Sequence, residues 1–170
     1  MSSRMTAGMD KGPAEGCRSG GFTLIEVVVA RRMTAAVPLL LEFARQDSEP
    51  AAYDHACSAL IALGDKTTLS KLVAVILAVK DGKRRDKIET TYLEIAKKHE
   101  NAIEPILAAM SDEATTIALL PVLGRIGGKV AESRVEKALS SANGELRAAG
   151  IRALCNWPDA SVAERLVGLV

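Results

Sequence analysis

Four short phrases in this chain repeat one another at nearly even intervals. They are ALIALGD at residues 59–65, a degenerate copy YLEIAKK at 92–98, VLGRIGG at 122–128 and ALCNWPD at 153–159. Their leucines Leu60, Leu93, Leu123 and Leu154 lie 33, 30 and 31 residues apart. Two further pairs keep the register: AVPLLLEF at 36–43 with IEPILAAM at 103–110, and SRVEKAL at 133–139 with ERLVGLV at 164–170. A period of this length marks an architecture in which each repeat is one supersecondary unit. A lone unit cannot bury its apolar face, so neighbours stack and share a core.

The unit is helical. Val37, Leu40, Leu41 and Ala44 mark one apolar face, and Tyr53, Ala56, Cys57, Leu60 and Leu63 the next. Leu69, Leu72, Val73 and Ile76 follow, then Ile88, Tyr92, Ile95 and Ala96, then Ile103, Ile106, Leu107 and Met110. Leu146, Ala149, Ala153, Leu154 and Trp157 make a further face, and Val162, Leu166, Leu169 and Val170 the last. Steps of three and four fit the helical period and not the alternation of a strand. Hydrophobic residues are 48% of the chain but aromatics only 3%, so the core is built from Ala, Leu, Val and Ile. That bias favours closely packed helices over a sheet.

Helix punctuation falls between these faces. Ser48-Glu49-Pro50 reads as a cap, an acid and a first-turn proline, and Gly64 as a glycine closing a helix. Ser111-Asp112-Glu113 and Asn143-Gly144-Glu145 offer further caps with first-turn acids. Pro121 stands inside a helical phrase and is expected to bend or split it. The fold class is therefore all-α, with about nine helices of roughly 10–17 residues, paired as hairpins. Residues 1–33 are expected to form a tail, disordered over residues 1–20, whose removal through residue 32 leaves the core intact. Residues 34–170 form the repeat domain. The sequence ends inside an apolar phrase, which suggests truncation of a longer array or self-association through the C-terminal repeat.

The residues NGELRAAGIRALCNWPDASVAERLVGLV resemble the short HEAT-like repeats of the PBS-lyase type. Asn143, Arg147, Ala148, Ala149, Ala153 and Leu154 match the polar cap, the Arg and Ala-Ala, and the Ala-Leu phrase of the first helix, while Trp157 and Pro158 replace its usual Leu-Gly. The resemblance spans about residues 34–170, strongest over 111–170 and weakest over 83–99. The tetratricopeptide pattern needs aromatics that this chain lacks, and the ankyrin TPLHxA turn is absent. Membership of the HEAT-like class implies an α-solenoid of about four hairpins, with a concave face lined by the second helix of each. It implies a non-catalytic scaffold or protein-interaction module, or alternatively an enzyme-associated protein of the phycobilin-lyase kind.

Little in the chain points to catalysis. His55 and His99 are the only histidines, sit in different repeats and lack a second ligand at zinc spacing. Gly-rich phosphate loops, a nucleophile elbow and the His-Glu-x-x-His motif are missing. No cofactor or metal is implied. Cys17, Cys57 and Cys155 are too few and too widely spaced for a disulfide framework, and Cys57 and Cys155 are expected to stay unbridged. The net charge of +1 gives no global field for nucleic acid or anionic membranes. Any basic function is local. The densest run is KDGKRRDKIE at 80–89, where Lys80, Lys83, Arg84, Arg85 and Lys87 form a candidate interaction patch. Asp81, Asp86 and Glu89 interleave with it, which favours a solvated or protein-docking surface over nucleic acid.

Near the N-terminus, GFTLIE at residues 21–26 resembles the cleavage site of type IV prepilins. The resemblance implies processing after Gly21, with Phe22 as the new terminus and Glu26 as the acid of the mature segment. That family continues into a membrane-length apolar helix, and spanning needs roughly 20 apolar residues. Here Arg31 and Arg32 interrupt after Ala30. Two charges at that depth cost roughly 2.5–3.5 kcal/mol each, so the motif reads as broken. The default compartment is the cytoplasm; the alternative is a pseudopilin-like component of the cell envelope.

Overall fold

The computed structural model of the protein describes residues 20–46, 49–163 and 167, with side chains from residue 24 onward. Among the described residues there are nine α-helices and no strand. They are α1 (Gly20–Ala30), α2 (Val37–Arg45), α3 (Pro50–Leu63), α4 (Lys66–Ala78), α5 (Gly82–Ala96), α6 (Glu104–Ala109), α7 (Glu113–Ile126), α8 (Gly128–Leu139) and α9 (Gly144–Cys155). Single 3-10 turns cover Thr34–Ala36 and Ala160–Val162.

Local chemistry sets the helix starts. The Asp65 carboxylate accepts the Thr68 N–H at 2.9 Å while the Thr68 hydroxyl accepts the Asp65 N–H at 3.1 Å, a reciprocal cap for α4. Asp112 and Thr115 repeat the arrangement at α7, with distances of 2.8 and 3.2 Å. Asp81 caps α5 through Arg84 N–H, and Asn143 caps α9 through Glu145 N–H. Such caps contribute about 1 kcal/mol each relative to alanine. Proline supplies the first turn of α2, α3 and α6, where a missing N–H costs nothing. The residue at the cap position of α3 is Glu49, whose side chain makes no capping bond; Ser48 lies outside the described residues.

The apolar faces read from the sequence are buried or, at Ala96, Ile103, Leu107, Met110, Leu146 and Trp157, half-buried. All the marked residues of α2, α3 and α4 are buried, as are Ile88, Tyr92, Ile95, Ile106, Ala149, Ala153, Leu154 and Val162. Leu166, Leu169 and Val170 lie outside the described residues. Each even-numbered helix packs on the odd-numbered helix that follows it: α2 on α3, α4 on α5, α6 on α7 and α8 on α9. The odd-numbered helices also pack in order, α1 on α3, α3 on α5, α5 on α7 and α7 on α9. Buried residues fall into two clusters. One runs from α2 to α8; the other joins Leu120, Val135, Ala138, Ala149, Ala153, Leu154 and Val162.

Several expectations need correction. Packed helices begin before residue 34, because α1 lies on α3 with Ile25, Val28 and Val29 against the larger core. Helix α7 is not split at Pro121; it runs unbroken from Glu113 to Ile126. Proline removes one backbone bond, and the buried residues on either side, Leu120 and Val122, hold the helix through it. Gly64 closes α3 with φ −68°, so the left-handed freedom of glycine is not what this position uses. It uses the missing side chain: a Cβ there would come within 2.7 Å of Ile95 Cδ1. Helix α6 has only six residues, since Met110 leaves the helical region and the cap of α7 begins directly after it. Helix α2 has nine, also below the expected range. Trp157 lies beyond the end of α9 and packs half-buried against both clusters.

Candidate functional site

The five basic residues of the 80–87 run do not share one surface. Lys80 and Lys83 are exposed, whereas Arg84, Arg85 and Lys87 are half-buried. Arg84 stacks its guanidinium 4.5 Å from the centre of the Tyr53 ring and donates to the Gln46 carbonyl. The Tyr53 hydroxyl returns a bond of 2.6 Å to the Arg84 carbonyl. Burial pushes the Tyr53 phenol well above its ordinary range, so it stays a neutral donor. Lys87 pairs with Asp54 of α3 at 3.1 Å. Two of the five cations therefore serve the α3–α5 contact.

Arg85 turns the other way, towards α7. Its Nε donates to Glu89 at 3.0 Å and its Nη2 to the Ala118 carbonyl at 2.6 Å. Glu89 is a buried carboxylate, and Arg125 of α7 approaches its second oxygen at 3.7 Å. Arg125 also donates to the Thr90 hydroxyl at 3.3 Å. Glu89 thus holds one arginine from each of two helices, which compensates its burial and fixes both guanidinium groups in place.

These groups border two open hollows, each about 710 Å³, that share Arg125 and Asn156. The first lies between the end of α5, the turn before α6 and the α7–α8 junction. Leu93, Ile103, Ile126 and Val130 give it an apolar lining, and Lys97, Lys129 and Arg125 supply cations. The second runs across α5, α7 and α9 and is lined by Arg85, Glu89, Pro121, Arg125 and Arg152 among others. Lys97 is paired with Glu94 at 2.6 Å. Lys129 and Arg152 carry no ion-pair partner among the described residues.

Of the five basic residues singled out in the 80–87 run, only Arg85 lines this groove, with Asp86, Glu89, His99 and Pro121 also on its walls. Arg125, Lys129, Arg152 and Asn156 were missed because they are scattered singly through the chain. The repeat register was the available signal. Arg125 and Asn156 each stand two residues after a marker leucine, Leu123 and Leu154, while Pro121 and Arg152 each stand two before one. Equivalent positions in stacked units fall on one side of the stack. The groove is formed mainly by α5, α7 and α9, the first helices of the sequence-derived hairpins, with the start of α8 closing the first hollow through Lys129 and Val130.

The prepilin-like residues lie at the opposite end. Gly21 and Phe22 are in the first turns of α1, outside the described side chains. Glu26 is exposed and lines a cleft of about 310 Å³ between α1 and α3 with His55 and Ser58. No described helix is long and apolar enough to cross a membrane. His99 lines the first hollow, away from His55, and among the described residues no three His, Cys, Asp or Glu side chains gather as metal ligands. Cys57 is buried and Cys155 exposed, both as free thiols; Cys17 lies outside the described residues. Comparison with known protein families, curated proteins and solved structures gives no match to this chain.

Proposed function

We propose that the protein is a non-catalytic interaction module, built as an α-solenoid of about four HEAT-like hairpins. The observation that carries this reading is the groove along α5, α7 and α9, where fixed arginines border one mainly apolar hollow and one of mixed polarity. The solenoid part rests on the register of about 31 residues and on the order of packing, in which each odd-numbered helix meets the next. Stacks of this kind present one extended face made of equivalent helices, which suits them to bind long partners. The groove joins charged groups to apolar surface but holds no nucleophile paired with a base, so recognition describes it better than turnover.

A photo-reactive amino acid at Val130, inside the first hollow, tests this in the native cells. Cross-links from Val130 to another protein, absent when the same group replaces exposed Leu77 on α4, are the expected result. Cross-links at neither position would remove the basis for an interaction module.

A further inference from the structure

The groove is chemically uneven, and its unevenness specifies a ligand. Most of its charge is already matched: Arg85 and Arg125 meet Glu89, and Lys97 meets Glu94. The cations left without an ion-pair partner among the described residues are Lys129, beside the first hollow, and Arg152, beside the second. The two hollows meet at Arg125 and Asn156, and Leu93, Ile103 and Ile126 line the first beside Lys129.

We propose that this groove binds a short extended segment of a partner protein in which acidic residues flank apolar ones. Carboxylates meet Lys129 and Arg152, and an apolar side chain enters the hollow beside Ile126. This deepens the interaction-module reading and rests on it. Ion pairs to Lys129 and Arg152 and burial of one side chain are terms that the groove leaves unsatisfied, and the exposed Asp86 of the second hollow limits the acidic positions of the segment to those two cations. A polyanion such as nucleic acid fits worse. Asp86, Glu89 and Glu94 line the same hollows, and no Phe, Tyr or Trp side chain lines them for bases to stack on. Packed helices lie roughly 10 Å apart, so α5 to α9 spans roughly 20 Å. That is about six residues of extended chain at roughly 3.3 Å each.

The test uses the full chain and a fluorescein-labelled octapeptide in which glutamate alternates with leucine, read by anisotropy. Binding is expected, with at least a tenfold loss of affinity for the double variant Lys129→Glu, Arg152→Glu. The same loss is expected when glutamine replaces every glutamate of the peptide, and when serine replaces every leucine. Lys71→Glu, on α4 outside the groove, is expected to bind as the parent does. Unchanged circular dichroism and melting of the double variant confirm that its loss is one of binding. Each of three results overturns the proposal: no peptide binding, equal binding by the double variant, or tighter binding of a single-stranded oligonucleotide of equal length. The Val130 cross-links separate the two readings. A cellular partner still cross-linked by the double variant keeps the interaction module and removes this ligand assignment.

Discussion

Gly124 and Gly150 are both helical and buried, yet a methyl group should affect them in opposite senses. A Cβ on Gly124 would lie 2.7 Å from Ala153 Cα, against backbone that cannot step aside. On Gly150 the nearest atom is the Leu139 Cδ2, at 3.1 Å, the movable end of a side chain. Alanine gains about 1 kcal/mol over glycine in a helix interior, while forced overpacking costs about 1–3 kcal/mol. With the clash against backbone taking the upper end of that cost, Gly124→Ala is expected to destabilise by up to about 2 kcal/mol net of the gain, and Gly150→Ala to be neutral or slightly stabilising. Urea unfolding of both variants checks the difference in sign. Acid response is a second residue-scale consequence. The Thr67 hydroxyl, then the N–H and hydroxyl of Thr68, pull the Asp65 carboxyl down to about 2. A depressed carboxyl contributes stability that is full above its unfolded value, roughly 3.9, and is lost as pH falls through the folded one. Asp65→Ala should thus flatten the decline in stability between roughly pH 4 and pH 2, as followed by thermal melts; an unaltered slope would show that the cap does not titrate with folding. Caps at Asp112 and Asn143 were legible in the sequence because they precede apolar faces. The tight glycine contacts were not, since closeness between helices is set by partners on other helices, 29 residues away for Gly124 and 11 for Gly150.

Helices themselves were legible from the period of their apolar residues, and the buried set follows that period through α2, α3 and α4. What the period could not supply is which short apolar phrase joins the core. FTLIEVVVA contains enough apolar residues to pack on the first hairpin, but nine residues of pattern do not distinguish a packed helix from one lying free beside it. In the structure Ile25, Val28 and Val29 of α1 rest on the core, with Leu24 and Val27 outward. Half-burying three such side chains contributes about 2–4 kcal/mol, an upper figure because unfolded chains bury some surface themselves. Removing residues 1–32 should therefore lower the melting temperature by about 5–10 °C, against the expectation that the core is indifferent to it. A melt shifted by less than about 2 °C would show that α1 contributes nothing. The basic run at 80–87 teaches a related lesson. Charge density in sequence marked a patch, but helical spacing sends Arg84 and Lys87 to α3 and Arg85 to α7. The groove cations come instead from single residues scattered along α5, α7, α8, α9 and the turn after α5.

For the molecule as a whole, the decisive question is whether stability is shared or local. Buried residues divide between a large cluster and a smaller one centred on α8 and α9, with α7 contributing to both through Leu119 and Leu123 on one side and Leu120 on the other. In a stack of units, stability approximates a sum of unit terms and nearest-neighbour interfaces. A lesion in the last pair should then be felt mainly there. Leu154 is buried in the smaller cluster, and truncating a buried leucine to alanine costs about 2–5 kcal/mol. Leu154→Ala is expected to speed native-state amide exchange in α8 and α9, with α3, α4 and α5 nearly unchanged, because their core lies in the other cluster. Local opening of this kind is what exchange measures as a separate cooperative unit. A globular core unfolding as one body would lose protection evenly from α2 to α9. That even loss would count against the solenoid reading, whereas a graded loss that fades with distance from Leu154 is the signature of stacked units.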